Sequence, residues 1–186
     1  MRVISGSAKG RKLRAVPGEG TRPIAERVKA ALFNILGADV EETSWLDLFG
    51  GTGSVGIEAL SRGAAHVVFV DNAHKAVETL RGNLSTLGLS ERAQVIKTDA
   101  FRYLRQVDSA TTFDFIYVAP PQYQDLWAKA LLALDDKPLL APDGRIIVQI
   151  FPKEYRDLAL TRLQHLHERR YGSTALHFYA LAGEGD

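Results

Sequence analysis

The chain has 186 residues, of which 46% are hydrophobic and 24% charged, as in an ordinary globular domain with one buried core. It contains no cysteine, which excludes disulfides, thiolate metal ligands and a cysteine nucleophile. The sequence lacks the roughly eighteen-residue apolar run of a membrane span, and residues 1–10 lack the apolar core of a signal peptide. We therefore expect a cytoplasmic protein with no membrane partner.

The net charge of +1 is unevenly distributed along the chain. Residues 1–36 carry eight basic and two acidic side chains, a net charge of +6, whereas residues 37–186 carry 15 basic and 20 acidic ones. A basic segment on an acidic body favours a polyanionic partner, although a solvated basic tail would have the same composition. We divide the chain into a basic extension, residues 1–36, and a main domain, residues 37–186.

The basic extension is expected to form a small hairpin and then a helix. Arg2–Ile4 and Arg11–Arg14 are placed to pair across the intervening turn. Thr21–Ile24 is typical of a helix start, with Pro23 in the first turn. The residues predicted to form the buried stripe of this helix are Val28, Leu32 and Ile35, and those predicted to face outward are Arg22, Arg27 and Lys29.

Downstream of the extension, apolar runs alternate with helical stretches. The predicted strands are Trp45–Leu48, His66–Val70, Gln94–Lys97, Phe113–Val118 and Arg145–Ile150. The predicted helices are Ser54–Arg62, Ala73–Leu87, Ala100–Gln106 and Gln124–Leu134. Strands separated by helices of this length predict βαβ crossovers, and hence an α/β, Rossmann-like fold with a mostly parallel sheet.

The pattern changes after Tyr155. We expect a short helix there, followed by an antiparallel hairpin of Leu163–Arg170 and Ala175–Leu181 at the edge of the sheet. His165 and His167 are two residues apart, so an extended strand would place them on one face. Such a pair can hold a metal ion, but no acidic residue lies at ligand spacing, and no metal site is predicted.

The most informative segment is DLFGGTGS, residues 47–54, between the first predicted strand and helix. A strand that ends in an acidic residue, followed by a glycine turn and a helix, opens a nucleotide-type cofactor site. We expect side chains at Gly51 or Gly53 to fill space that a ligand needs. Residues 51–56 also satisfy the dinucleotide fingerprint, but Asp47 would repel a pyrophosphate and suits a ligand with an ammonium or sulfonium group.

Two further carboxylates follow the next predicted strands. Asp71 comes about twenty residues after the glycines, where an acidic side chain accepts hydrogen bonds from ribose hydroxyls. Asp99 follows the third strand, within reach of an adenine amino group. Either aspartate can instead cap the helix that it precedes.

The fourth predicted strand ends in APPQY, residues 119–123, at the edge where open α/β sheets bind ligands. Pro120 and Pro121 have no N–H and a fixed φ, so they would form a stiff rim. Tyr123 is placed to stack on a base. By itself, a proline pair also simply ends a strand.

Residues 47–64 closely resemble the S-adenosylmethionine loop of the RsmD-type 16S rRNA guanine-N2 methyltransferases, which are class I S-adenosylmethionine-dependent methyltransferases. Residues 2–6, 10–13, 22–23 and 27–34 resemble the basic extension of that family, so the resemblance spans nearly the whole chain. It implies a cofactor, S-adenosyl-L-methionine, and a partner, 16S rRNA or the assembling small ribosomal subunit. A monomer without a metal is expected.

The resemblance also implies residue roles. The expected cofactor-binding residues are Asp47, Phe49, Gly51, Thr52, Gly53, Asp71, Asn72, Asp99 and Ala100. The expected catalytic residues are Ala119, Pro120, Pro121, Gln122 and Tyr123. The expected RNA-binding residues are Arg2, Lys9, Arg11, Lys12, Arg14, Arg22 and Arg27.

One position departs from the family pattern. The family carries Asp or Asn where this chain has Ala119, so a side-chain acceptor for the target amine is missing. Backbone carbonyls of Ala119 and Pro120, or the amide of Gln122, would have to replace it. The alternatives left open are an inactive protein that binds cofactor and RNA, and an amino-methyltransferase acting on DNA adenine or a protein amide. A nicotinamide oxidoreductase is the remaining alternative.

Overall fold

A computed structural model describes residues 1–18 and 23–183 of the chain. The strands are β1 (Ser44–Asp47), β2 (His66–Asp71), β3 (Ala93–Lys97), β4 (Phe113–Val118), β5 (Leu140–Ile150), β6 (Leu163–Tyr171) and β7 (Thr174–Leu181). The helices are α1 (Glu26–Leu36), α2 (Ser54–Ser61), α3 (His74–Leu87), α4 (Ala100–Gln106) and α5 (Leu126–Asp136). None of the described helices is long and apolar enough to cross a membrane.

The strands form one sheet in the order β3-β2-β1-β4-β5-β7-β6. The first five strands pair in parallel, and β7 pairs antiparallel with both β5 and β6. The Rossmann-like fold with a C-terminal antiparallel hairpin is therefore confirmed. The strand order reverses between β1 and β4, and in parallel α/β sheets a cleft for ligands opens at this point, beyond the carboxyl ends of the strands.

Two apolar clusters fill the two faces of the sheet. The first contains Leu32 of α1, Leu60 of α2 and Leu80 of α3, together with Trp45 and Phe115 of the sheet. The second contains Leu104 of α4 and Leu131 of α5. Helices on both faces bury the central strands completely, which explains why these strands are continuous apolar runs in the sequence.

The basic extension packs on the face of the sheet that α2 and α3 cover, and its own helix α1 lies on the same face, called here the α1–α3 face. Its hairpin is a single antiparallel bridge between Arg2 and Lys12, with the Val3 amide donating to the Arg11 carbonyl at 2.9 Å. Val3, Ala8 and Leu13 are buried in the first apolar cluster. The extension is thus held to the main domain by a continuous core.

Helix α1 differs from its prediction in three respects. It begins at Glu26, so Pro23 precedes the helix and does not lie in its first turn. Ile35 is 41% exposed, and Leu36 is buried in its place. Lys29, predicted to face outward, is completely buried, because it has an acidic partner on α2.

The C-terminal hairpin contains a β-bulge that separates the two histidines. His165 lies opposite Tyr179 and His167 lies opposite Phe178, with a register shift between them. Since neighbouring residues of β7 point to opposite faces, the two histidines do so as well, and the expectation that they share a face was wrong. The short helix is a single turn at Pro152–Glu154, before Tyr155 and not after it.

Candidate active site

A cavity of about 760 Å³ opens at the carboxyl edge of the sheet, over the point where the strand order reverses. It extends from the carboxyl ends of β1 and β2 to the segment after β4 and the last two residues of β5. Its lining includes most of the predicted site residues, namely Asp47, Phe49, Gly51, Thr52, Asp71, Asn72, Asp99, Ala100, Ala119, Pro120, Pro121 and Gln122. The fold therefore gathers residues that are up to 75 positions apart in the sequence into one site.

The glycine loop between β1 and α2 forms one wall of the cavity. Gly51 and Gly53 both have positive φ angles, of 54° and 78°, and the Gly53 amide donates to the Gly50 carbonyl at 2.7 Å. A Cβ at Gly53 would lie 2.1 Å from Leu80, and one at Gly56 would lie 2.3 Å from Phe69. Gly53 is absent from the cavity lining, so it is required for loop conformation and helix packing and not, as expected, to leave space for a ligand.

Asp47 ends β1 at the floor of the cavity and is almost completely buried. Burial, with a contribution from the nearby Asp71 carboxylate, raises the pKa of Asp47 to about 8. Its Oδ1 atom finds no hydrogen-bond partner among the residues that the structure describes. A buried carboxylate with one unpaired oxygen that lines a cavity is suited to a cationic group of a ligand, because an ammonium would pair with that oxygen and favour its ionised form.

The second carboxylate, Asp71, organises two loops at the end of β2. Its Oδ2 accepts a hydrogen bond from the Gly51 amide and its Oδ1 accepts one from the Ala73 amide, both at 2.9 Å. The N-cap of α3 is Ala73, so Asp71 is not the cap of that helix. Each of its oxygens still has a lone pair for a ligand hydroxyl.

The third carboxylate, Asp99, is the N-cap of α4. Its Oδ1 accepts from the Arg102 amide at 2.9 Å. The capping role that the sequence allowed is therefore present, and the side chain also lines the cavity. Phe49 and Phe101 lie beside it in an edge-to-face arrangement, with ring centroids 6.4 Å apart, and supply an apolar wall for a flat ring.

The segment after β4 forms the opposite rim. Ala119 and the two prolines line the cavity, as does the exposed Gln122. Tyr123 does not: its ring is 68% exposed and packs 5.7 Å from Phe151, while its amide donates to Glu154. In this arrangement its ring lies outside the cavity, whereas we expected it to stack on a base inside the cavity.

Sequence reasoning missed several lining residues. Tyr117, Gln149 and Thr174 lie on strands β4, β5 and β7, where the sequence was interpreted only as core or hairpin. Val16, Pro17, Pro23 and Ile24 of the basic extension also line the cavity. Alternation along the predicted strands identifies the face of Tyr117, but only the sheet order shows which strand ends are neighbours.

The predicted RNA-binding residues occupy two ends of the α1–α3 face. Lys9 and Arg11 lie near the C-terminal ends of α2 and α3, where Ala8 bonds Ser61 and Arg11 bonds the Thr86 carbonyl. Arg27 is exposed beside Gly172 in the turn between β6 and β7, close to Thr174 of the cavity. Arg2, Lys12 and Arg14 are also exposed, and Arg22 lies outside the described residues.

Two buried polar side chains join the extension to the glycine loop. Lys29 donates to the Arg2 carbonyl at 2.8 Å and to the Ser54 hydroxyl at 3.0 Å. Asn83 of α3 bonds both the amide and the carbonyl of Arg14, and its amide also donates to the Thr52 carbonyl at 3.1 Å. Since Thr52 and Ser54 line the cavity, hydrogen bonds connect the extension directly to the cofactor loop.

A family model described as Conserved hypothetical protein 95 matches residues 1–180. This chain belongs to that family, the RsmD family. YlbH of Bacillus subtilis is 43% identical to it over 190 residues, which cover 98% of this chain and 100% of YlbH. Ribosomal RNA small subunit methyltransferase D of Haemophilus influenzae is 37% identical over 150 residues, 80% of this chain and 78% of that protein.

Solved structures share the fold. The structure of yhhF from Escherichia coli has a TM-score of 0.84 at 29% identity and covers 99% of both chains. An RNA methyltransferase from Salinibacter ruber, solved in complex with S-adenosyl-L-homocysteine, has a TM-score of 0.67 at 16% identity, over 89% of this chain and 97% of that chain. The fold is that of class I methyltransferases, and the cofactor is S-adenosyl-L-methionine.

The residues of the cavity fit this cofactor. The methionine part carries an ammonium, for which the unpaired Oδ1 of Asp47 is a partner. The ribose carries hydroxyls, which can donate to the free lone pairs of Asp71. The adenine is a flat ring, which fits against the apolar wall of Phe49 and Phe101. When bound, the sulfonium supplies an electrophilic methyl group.

Proposed function

We propose that this chain transfers a methyl group from S-adenosyl-L-methionine to the exocyclic N2 of a guanine in 16S rRNA, free or within the assembling small ribosomal subunit. The observation that carries the proposal is the continuity of the cavity, which joins the predicted cofactor residues after β1 and β2 to the proline rim after β4. A methyl donor and a nucleobase can therefore meet in one enclosed space. The relative from H. influenzae is named as a small subunit rRNA methyltransferase, which supports the choice of substrate.

The chemistry relies on positioning and electrostatics. The guanine N2 lone pair is delocalised into the ring, so acceptors aimed at its hydrogens stabilise the positive charge that develops during methyl transfer. Ala119 offers no side-chain acceptor, but its carbonyl, that of Pro120 and the Gln122 amide lie at the same rim. Correct orientation of the reactants contributes roughly 7–11 kcal/mol in comparable systems, so the loss of one acceptor slows such an enzyme without abolishing catalysis.

The basic extension is proposed to bind rRNA phosphates through Arg2, Lys9, Arg11, Lys12, Arg14, Arg22 and Arg27. Phosphate contacts of this kind fix the register of the protein on its substrate, while base recognition occurs in the cavity. We further propose that the protein acts as a monomer in the cytoplasm. Analytical sedimentation of the protein with and without RNA tests this, and the expected mass of the free protein is that of one chain.

A transfer assay tests the proposed reaction. The protein is incubated with radiolabelled S-adenosyl-L-methionine and small ribosomal subunits from a strain that lacks the corresponding methyltransferase. The rRNA is then digested to nucleosides, and N2-methylguanosine is the expected labelled product. A label in another nucleoside, or preferential methylation of duplex DNA in a competition assay, would overturn the proposal.

Ala119 favours one competing function, that of an inactive protein that binds cofactor and RNA. If this is correct, the wild-type protein binds S-adenosyl-L-homocysteine but transfers no label, and Ala119→Asp creates activity where none existed. Substantial turnover by the wild-type protein eliminates it. The wild-type protein and Ala119→Asp together thus decide between an enzyme and a binding protein with the same pocket.

A further inference from the structure

Three polar side chains form a row across the cavity floor on the α1 face of the sheet. Asp47 of β1 lies directly opposite Tyr117 of β4, which in turn lies opposite Ile147 of β5. Gln149 is two residues further along β5 and so points to the same face as Ile147. The Tyr117 hydroxyl donates to Oε1 of Gln149, and all three polar side chains line the cavity.

Gln149 lies in the half of the cavity bounded by the proline rim and the end of β5, called here the acceptor half because the methyl-accepting base would enter there. Asp47 belongs to the half that holds the predicted cofactor residues, whereas Gln149 lies beyond β4, near the end of β5 and next to the start of β7 at Thr174. Its side chain is only partly buried, because it faces the cavity. A nucleobase that enters past the proline rim would therefore meet the Gln149 amide.

The orientation of this amide is set by its neighbour. Burial raises the pKa of Tyr117 well above its ordinary value, and the Asp47 carboxylate raises it further, so the hydroxyl remains protonated; in the structure it donates to Oε1 of Gln149. A hydroxyl donor requires the carbonyl oxygen of Gln149 to point toward Tyr117. That oxygen retains a second lone pair, and the NH₂ group retains its two hydrogens.

We propose that Gln149 is a specificity residue that recognises the acceptor guanine and supplies the side-chain acceptor that Ala119 lacks. This inference rests on the proposed function. Oε1 of Gln149 accepts a hydrogen bond from the N1–H or N2–H edge of guanine. Adenine presents an unprotonated N1 and a C2–H at that edge, so it donates no hydrogen bond to the second lone pair of this oxygen, and sites built around a hydrogen bond reject ligands that cannot make it.

The decisive variant is Gln149→Leu, which keeps the side-chain volume but removes both hydrogen-bonding groups. Gln94→Leu is its matched control, because Gln94 is exposed on edge strand β3, at the other side of the sheet from the acceptor half. Methyl transfer to rRNA of small ribosomal subunits that lack the modification is measured for both. We expect Gln149→Leu to lower kcat/KM by about 10²-fold, the scale of one lost preorganised contact.

Two further readouts separate recognition from a structural role. The affinity for S-adenosyl-L-homocysteine and the thermal midpoint of Gln149→Leu should match those of Gln94→Leu. Gln149→Glu, which retains an acceptor oxygen, should keep kcat/KM within about tenfold of the wild type, and Ala119→Asn should restore most of the activity that Gln149→Leu loses.

The inference is overturned if the wild-type protein forms N2-methylguanosine and Gln149→Leu does so at the rate of the Gln94→Leu control. It is also overturned if Gln149→Leu loses cofactor affinity in proportion to its activity. Formation of a different methylated nucleoside by the wild-type protein instead overturns the proposed function, and the inference that rests on it. The wild-type product therefore distinguishes the two failures.

Discussion

The ammonium of Lys29 lies 3.3 Å from the carboxylate of Glu58, and neither side chain has any exposed surface. Glu58 also accepts hydrogen bonds from Arg62 and from the amides of Ile4 and Ser5. This buried group of charges joins the hairpin segment and helix α1 of the basic extension to α2 at one point. Because α2 begins in the cofactor loop, the same interaction connects the extension to the site.

Removal of Lys29 should destabilise the protein strongly. Lys29→Ala leaves the buried Glu58 with only Arg62 as a charged partner, and loss of one member of a buried ion pair costs about 3–5 kcal/mol. Urea unfolding at neutral pH measures the loss. Lys153→Ala, which truncates an exposed lysine, is the control and should change the free energy of unfolding by less than about 0.5 kcal/mol. An equally small change for Lys29→Ala would contradict this account.

Cofactor affinity should depend on pH through Asp47. An ammonium pairs with the ionised carboxylate, and the pKa of Asp47 is about 8, so only a small fraction of the free protein is competent at pH 6. The affinity for S-adenosyl-L-homocysteine is therefore expected to rise between pH 6 and pH 8, by up to about tenfold per pH unit. Isothermal titration calorimetry across this range checks the prediction.

Asp47→Asn is the control for that experiment. It should bind S-adenosyl-L-homocysteine weakly at every pH and lose most of the pH dependence. The free variant should be more stable than the wild type at pH 8, because the folded wild type has a raised Asp47 pKa and loses stability as pH rises toward 8. Wild-type affinity that is independent of pH would show that Asp47 does not pair with the ligand.

The basic extension should account for the salt dependence of RNA binding. Each phosphate contact contributes about 0.7–0.9 to the slope of log K against log salt concentration. Arg27→Ala and Lys9→Ala, at opposite ends of the extension, should each reduce the slope by about this amount. Arg105→Ala, on the α4 side of the sheet, should leave it unchanged. Equal slopes for all four proteins would argue against the extension as the RNA-binding surface.

Stability should fall in mild acid because of His177. This side chain is completely buried, its ring stacks on Tyr155 with centroids 4.3 Å apart, and its Nδ1 lies 3.1 Å from His165. Burial lowers the pKa of His177 to about 4; the charges of His165 and Arg170 lower it as well, and the Glu168 carboxylate opposes them. In the unfolded chain this histidine takes up a proton as pH falls below about 6.5, whereas in the folded chain it does so only near pH 4. The folded state therefore keeps its full stability above pH 6.5 and loses stability as pH falls toward 4.

The loss should reach at most about 3 kcal/mol between pH 7 and pH 4, measured as the change in the free energy of unfolding in urea. His177→Phe removes the titrating group and should flatten this dependence. His74→Asn, at a side chain that is 66% exposed, is the matched control and should leave the dependence as in the wild type. If the stability of His177→Phe falls in acid as much as that of the wild type, His177 is not the group responsible for the loss.

The sheet and the cofactor loop were predictable because their signals are local. A buried parallel strand is a continuous apolar run, and the glycine turn lies within eight residues of β1, so the boundaries of strands β1 to β4 were predicted to within one residue. Strand β5 begins at Leu140, five residues before its prediction, because Pro142 and Gly144 interrupt the apolar run. The aspartates at the end of β2 and after β3 were found in the same way.

Other features depend on contacts between distant segments. The burial of Lys29 requires Glu58, 29 residues away, and the separation of His165 from His167 requires a bulge that only the pairing with β7 reveals. Gln149 enters the acceptor half of the cavity only because β5 lies beside β4 in the sheet. Sequence periodicity determines the elements and their apolar faces, since these follow from the repeat of one helix or strand. Partners for buried charges, and the side chains that share a cavity, are decided by the order in which the elements pack.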